Sequence, residues 1–175
     1  MIDLNALRLR QAWQQCERHR YHLQHALTRL RPTLPVRSET VVTMPDDLVA
    51  AWDQFILRFG KWQDTMGARL FPALLSHLGE PLEDAAMIDK IERLNRLGLA
   101  PPVEVWRRLR SACNQFAHDY PQDAKLRAVY LNEAVALVDT LEKTREQIRL
   151  RLDKSIIDQP EENFESYNSN FECRS

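Results

Sequence analysis

The chain has 175 residues, with 24 Lys and Arg against 25 Asp and Glu, a net charge of −1 and only four glycines. A chain of that length can bury a core without disulfides or metal, and low Gly with abundant Leu, Ala, Arg, Gln and Glu favours helix over sheet. Cysteines at 16, 113 and 173 are odd in number and lack metal-ligand spacing, and no apolar run approaches a membrane span; free thiols in a reducing, cytoplasmic compartment are expected.

From Ile2 to Leu30, apolar residues including Leu9, Trp13, Cys16, Leu23, Leu27 and Leu30 recur at three- and four-residue intervals, which predicts one long amphipathic helix ending near Pro32. His19, His22 and His25 follow one another at i, i+3 and i+6 on it. Such a trio can bind a transition metal, but it stands among Arg18, Arg20 and Arg29 with no local Cys or carboxylate to complete a ligand set. Solvated or partner-facing histidines are the expected reading. Residues 31–44, with Pro32 and Pro35, read as a linker that packs along the bundle or touches a partner.

Pro45-Asp46-Asp47 opens a second helix with acids in its first turn. Leu48, Trp52, Phe55, Phe59, Trp62 and Met66 step by four and three, a bundle seam. An aromatic stripe can stack bases, but this spacing assigns it to the core. Gly60 and Gly67 weaken the helix, and Pro72 is expected to kink or break it. Gly79 and Pro81 make a turn, Glu83 and Asp84 head a third helix running through Leu97, and Gly98 caps it. Pro101-Pro102 start a fourth helix, and Asp123 starts a fifth carrying Leu131, Val138, Leu141 and Ile148 on one face. From Asp153 onward six acids face two bases, so the body is mildly basic, which permits RNA binding. The expected architecture is all-α, an antiparallel bundle of four to five helices over 1–154, followed by an acidic, polar tail over 155–175 that is flexible or docks on a partner.

The fourth helix carries the chemistry. It ends in Trp106-Arg-Arg-Leu-Arg-Ser-Ala-Cys-Asn-Gln-Phe-Ala-His-Asp-Tyr-Pro121, and Pro121 places His118, Asp119 and Tyr120 on its last turn. Arg110, Asn114 and His118 stand at i, i+4 and i+8, so a permanent cation, an amide and a titratable imidazole form one polar stripe. The same ending also reads as a simple helix terminus, with His118 favoured by the C-terminal dipole.

Asn114-Gln-Phe-Ala-His118-Asp-Tyr120-Pro121 resembles the signature of the HEPN superfamily, in particular the small prokaryotic members encoded beside minimal nucleotidyltransferases. That motif is an Arg and a polar residue, a short spacer, then His-x-Tyr. Asn114, His118 and Tyr120 match it. Cys113 stands where the motif Arg is expected, and Arg110 lies one turn earlier, just outside the usual spacing. The resemblance implies a HEPN-like bundle and a metal-independent ribonuclease toxin, with no cofactor, acting on RNA as a homodimer or higher even oligomer. It also implies a cognate minimal nucleotidyltransferase antitoxin that adenylylates Tyr120. In that chemistry His118 acts as general base or acid, an Arg neutralises the phosphate, and Asn114 orients either one. Cys113 is neutral near pH 7 and cannot replace the Arg. Three readings therefore stand: Arg110 serves instead, the chain is catalytically dead, or Cys113 is an introduced or selected change that made a toxic nuclease tolerable. A non-catalytic HEPN subunit that binds nucleotide or substrate for a nucleotidyltransferase is the alternative, and a helical scaffold docking through its acidic tail is a third reading.

Overall fold

The computed structural model describes residues 3–80, 82, 84–118, 122–153 and 156, and every element among them is helical. Helix α1 runs Leu4–Leu30. The Asp3 carboxylate caps it by accepting from the Asn5 and Ala6 backbone N–H groups at 2.9 and 3.3 Å, satisfying two of the donors a helix start leaves orphaned. Its apolar stripe is buried from Leu9 to Leu30, and a 3₁₀ turn containing Pro32, Arg31–Thr33, ends it.

The linker holds a short helix, α2, Ser38–Val42, that the sequence pattern did not announce. One buried residue, Val41, is too little for a periodic signal. The segment packs on the bundle through a reciprocal pair of bonds: the Val36 N–H donates to Asn132 Oδ1 at 2.8 Å, and Asn132 Nδ2 donates to the Val36 carbonyl at 2.9 Å.

Pro45 precedes α3, Asp46–Thr65, which continues through a π turn, Met66–Leu70, into α4, Phe71–His77. Of the kink or break expected at Pro72, the break does not occur: the helix runs on through it. The wide turn just before it, in which the Phe71 N–H donates to the Met66 carbonyl, absorbs the perturbation of a residue that has no N–H to give. Trp52, Phe55, Phe59, Trp62 and Met66 are each at most 2% exposed, so the aromatic stripe is core.

Helix α5 is shorter than expected, Met87–Arg96, because Ala86 is extended and the chain before it turns rather than coils. Asp84 lies in that turn, and Glu83 falls outside the described residues. Gly98 takes φ +73°, the left-handed conformation that costs glycine least, and the Leu99 and Gly98 N–H groups close on the Leu94 and Asn95 carbonyls as a Schellman cap. Helices α6, Val103–His118, and α7, Ala124–Arg151, complete the set, the latter capped by Asp123.

Cross-links give the directions. Arg29 reaches the Asp47 carbonyl, Arg58 meets His19, and Arg69 meets Gln15, so α1 and the α3–α4 rod are antiparallel. Glu142 accepts from Arg20 and Gln24 while Arg145 pairs with Glu17, so α7 is also antiparallel to α1. Gly67 lies under Trp106 whereas Ile56 and Phe116 wall the same groove, so α6 too runs against the α3 rod. An antiparallel bundle of four long rods, with α2 and α5 as outriggers, surrounds one core. Ile156, expected in the tail, is 5% exposed and belongs to that core; the rest of 155–175 lies outside the described residues.

Candidate functional site

Helix α6 is seated by Trp106, Leu109 and Ala112, all buried, with Cys113 and Phe116 partly buried against the core. Trp106 fixes its height. The indole lies over Gly67, where an added Cβ would come within 2.8 Å of the ring, and it packs on Phe71 at 4.9 Å between ring centroids. Only a residue without a side chain allows that approach, which explains the glycine in the π turn.

The adjoining exposed face of α6 carries the stripe. Arg110 and Asn114 are exposed, one turn apart, and His118 is the last residue of the helix. The His118 side chain and Tyr120 lie outside the described residues. Beside the stripe, α3 and α6 leave an open groove of about 380 Å³. Cys113, Asn114 and Phe116 form its α6 wall; Asp53, Lys61 and Asp64 bring charge from α3. Gly60 contributes no side chain, and nothing lies within 4 Å of where its Cβ would be, so this part of the wall is open. Arg110 does not line the groove. The structure thus brings Cys113 and Asn114 to one concavity and leaves Arg110 on the adjoining surface.

Cys113 is held as a neutral thiol. Burial is the main cause, and the Asp64 carboxylate adds to it, pushing the thiol up to about 12. At neutral pH it is neither a nucleophile nor a cation. Asp53, Lys61 and Asp64 were not singled out from the sequence, because nothing local on α3 ties them to α6; only the packing of the two helices does. The heptad-like seam of α3 did hold the clue, since residues off the Trp52–Met66 stripe must face a neighbour or solvent.

The histidine trio separates. His19 is 8% exposed, contrary to the expectation of a solvated or partner-facing residue, because the α3 rod covers it. Arg58 Nη1 donates to His19 Nδ1 at 3.3 Å, which places the ring proton on Nε2, an atom without a partner among the described residues. His22 is half-buried and His25 exposed. No group of three His, Cys, Asp or Glu among the described residues is arranged to hold a metal ion, and no described helix is long and apolar enough to cross a membrane.

Comparison with protein-family models, with curated proteins and with solved structures finds no match to this chain.

Proposed function

We propose that the chain is a HEPN-type protein that acts on RNA, a metal-independent ribonuclease toxin whose activity is impaired by Cys113. The observation that carries the reading is the α6 stripe: exposed Arg110 and Asn114 one turn apart on a helix ending at His118, beside an open groove in an antiparallel helical bundle. Arg110 supplies a cation to a phosphate, Asn114 orients it, and His118 moves the proton of a ribose 2′-hydroxyl. Two copies facing each other supply the cations that one copy lacks. A partner minimal nucleotidyltransferase silences the pair by adenylylating Tyr120, which sets a bulky, charged group beside His118.

A second reading is favoured by one specific observation. The groove presents two carboxylates, Asp53 and Asp64, and at position 113 a protonated thiol in place of a guanidinium, a poor setting for the developing negative charge of a cleaved phosphodiester. In that reading the chain is a non-catalytic subunit that binds nucleotide or substrate for a nucleotidyltransferase.

Cleavage of total cellular RNA in EDTA tests the first reading. Cys113→Arg is expected to cut at least about tenfold faster than the unaltered chain, a modest fraction of what one well-placed donor contributes to stabilising an oxyanion, and adding His118→Ala is expected to abolish the gain. If no form cuts, the binding subunit is the reading that stands.

A further inference from the structure

Because α1 and α3 run antiparallel, with Arg58 against His19, the part of α1 around His19 and His22 lies near Arg58, with Lys61 near His19, and His25 follows one turn on from His22. We propose that this joint face, carrying Arg18, His22, His25, Arg58 and Lys61, is a binding site for the phosphodiester backbone of a nucleic acid. The inference concerns binding, goes beyond the α6 stripe, and holds whether or not that stripe cuts RNA.

The first support is geometric. Arg58 is half-buried and braced by its hydrogen bond to the buried His19, so its guanidinium is positioned rather than waving in solvent. Lys61 is exposed one turn further along the same helix. Arg18 and His25 are exposed on α1, with His22 half-buried between them at i+4 and i−3. His19 is a positioning residue here: its Nδ1 fixes Arg58 and its ring is buried.

The second support is the sign of the charge. The charged groups that act on His19 are Arg58 and Lys61 from α3 and Arg18 and His22 from α1; those on His22 are Arg58, Arg18 and His25. Every one is basic. Burial first, and then these cations, hold both imidazoles below the ordinary histidine value. The carboxylates that α1 and α7 share are engaged on another stripe of α1: Glu142 accepts from Arg20 and Gln24, and Glu17 pairs with Arg145. A folded protein that crowds like charges on one face meets an energetic cost that a polyanion relieves. Guanidinium, ammonium and imidazolium together suit phosphate oxygens.

The bound state follows from the same electrostatics. A phosphate backbone laid over this face opposes the field that, after burial, holds His22 below the ordinary histidine value, so His22 takes up a proton on binding and affinity rises as the pH falls.

The test is fluorescence-anisotropy binding of a labelled oligouridylate to the full chain, in EDTA, across a salt series. The unaltered chain is expected to bind with a steep salt dependence. Arg58→Gln with Lys61→Gln should weaken binding at least about tenfold and flatten the slope of log K against log salt by about 1.4, two contacts at ~0.7 each for a single strand. Lys61→Gln alone, at an exposed site, should give about half that change in slope and guards against a folding defect. Arg31→Gln with Arg37→Gln removes the same charge from exposed positions elsewhere and should leave the slope nearly unchanged. Loss of slope in that control equal to the loss in the α3 variants overturns the proposal, as does retention of full affinity by the α3 variants. Binding to phosphatidylserine vesicles or to polyglutamate with none to the oligouridylate overturns it too.

Discussion

At His19 the protein holds an imidazole under a helix and against a guanidinium, and the consequence is acid lability of a definite sign. Burial, then Arg58, lowers its pKa to about 4, so the neutral ring is the folded form. In the unfolded chain it titrates near 6.5. The stability this residue contributes is complete above that value and is lost as the pH falls through the window from about 6.5 to about 4. Urea midpoints taken at neutral pH and near the lower end of that window should therefore separate by less in His19→Gln than in the unaltered chain; equal separations would show that His19 does not titrate with folding. None of this was readable from the i, i+3, i+6 spacing, because burial of one histidine among three is decided by which α3 residues lie across from it. The polar stripe on α6 was legible for the opposite reason: Arg110 and Asn114 are neighbours on one helix, and a helical period is all that is needed to place them together.

The element that sets the position of α6 is the wide turn between α3 and α4. Gly67→Ala puts a methyl at 2.8 Å from the Trp106 ring, so either the indole or the turn must move. Overpacking of that kind costs about 1–3 kcal/mol, and the expected result is a lower urea midpoint with an unchanged slope. Trp106→Phe carries its own loss of packing, yet the double variant should be more stable than the sum of the two single changes, because the smaller ring makes room for the methyl. Strict additivity in this cycle would sink the steric account. The rods themselves followed from apolar spacing over 2–30, 45–78 and 123–152, where long runs average out local exceptions. Helix α2 and the late start of α5 did not, since each depends on a handful of residues whose conformation the rest of the bundle selects.

For the whole molecule, the seam between α1 and α7 ties the first and last rods together. Arg145 lies across it: its guanidinium donates two bonds to Glu17, at 2.8 and 2.7 Å, and sits 5.4 Å from the centre of the Trp13 ring. The pair is partly buried, with side chains 17% and 29% exposed, so removing one member leaves the other under-solvated. Arg145→Met keeps much of the stem and deletes the charge; a loss of about 1–3 kcal/mol in urea-derived stability is expected, of which Glu17→Gln in the same chain should recover a part. No recovery would mean that the stem and its contact with Trp13, rather than the ion pair, hold the seam.

The turn at 66–70 also has a bearing on how this chain can change in length. A π turn spends one residue more than an α turn to make the same circuit, so it resets the angular phase of everything after it. Phe71, Leu74 and Leu75 face the core because of that reset. A deletion of one residue elsewhere in the rod would swing its apolar face through about 100°, whereas the loss of one residue inside 66–70 lets an ordinary α turn form in its place. The rod thus carries a spare residue at the one spot where its removal trades a wide turn for a regular one, and length variation along it is expected to concentrate there.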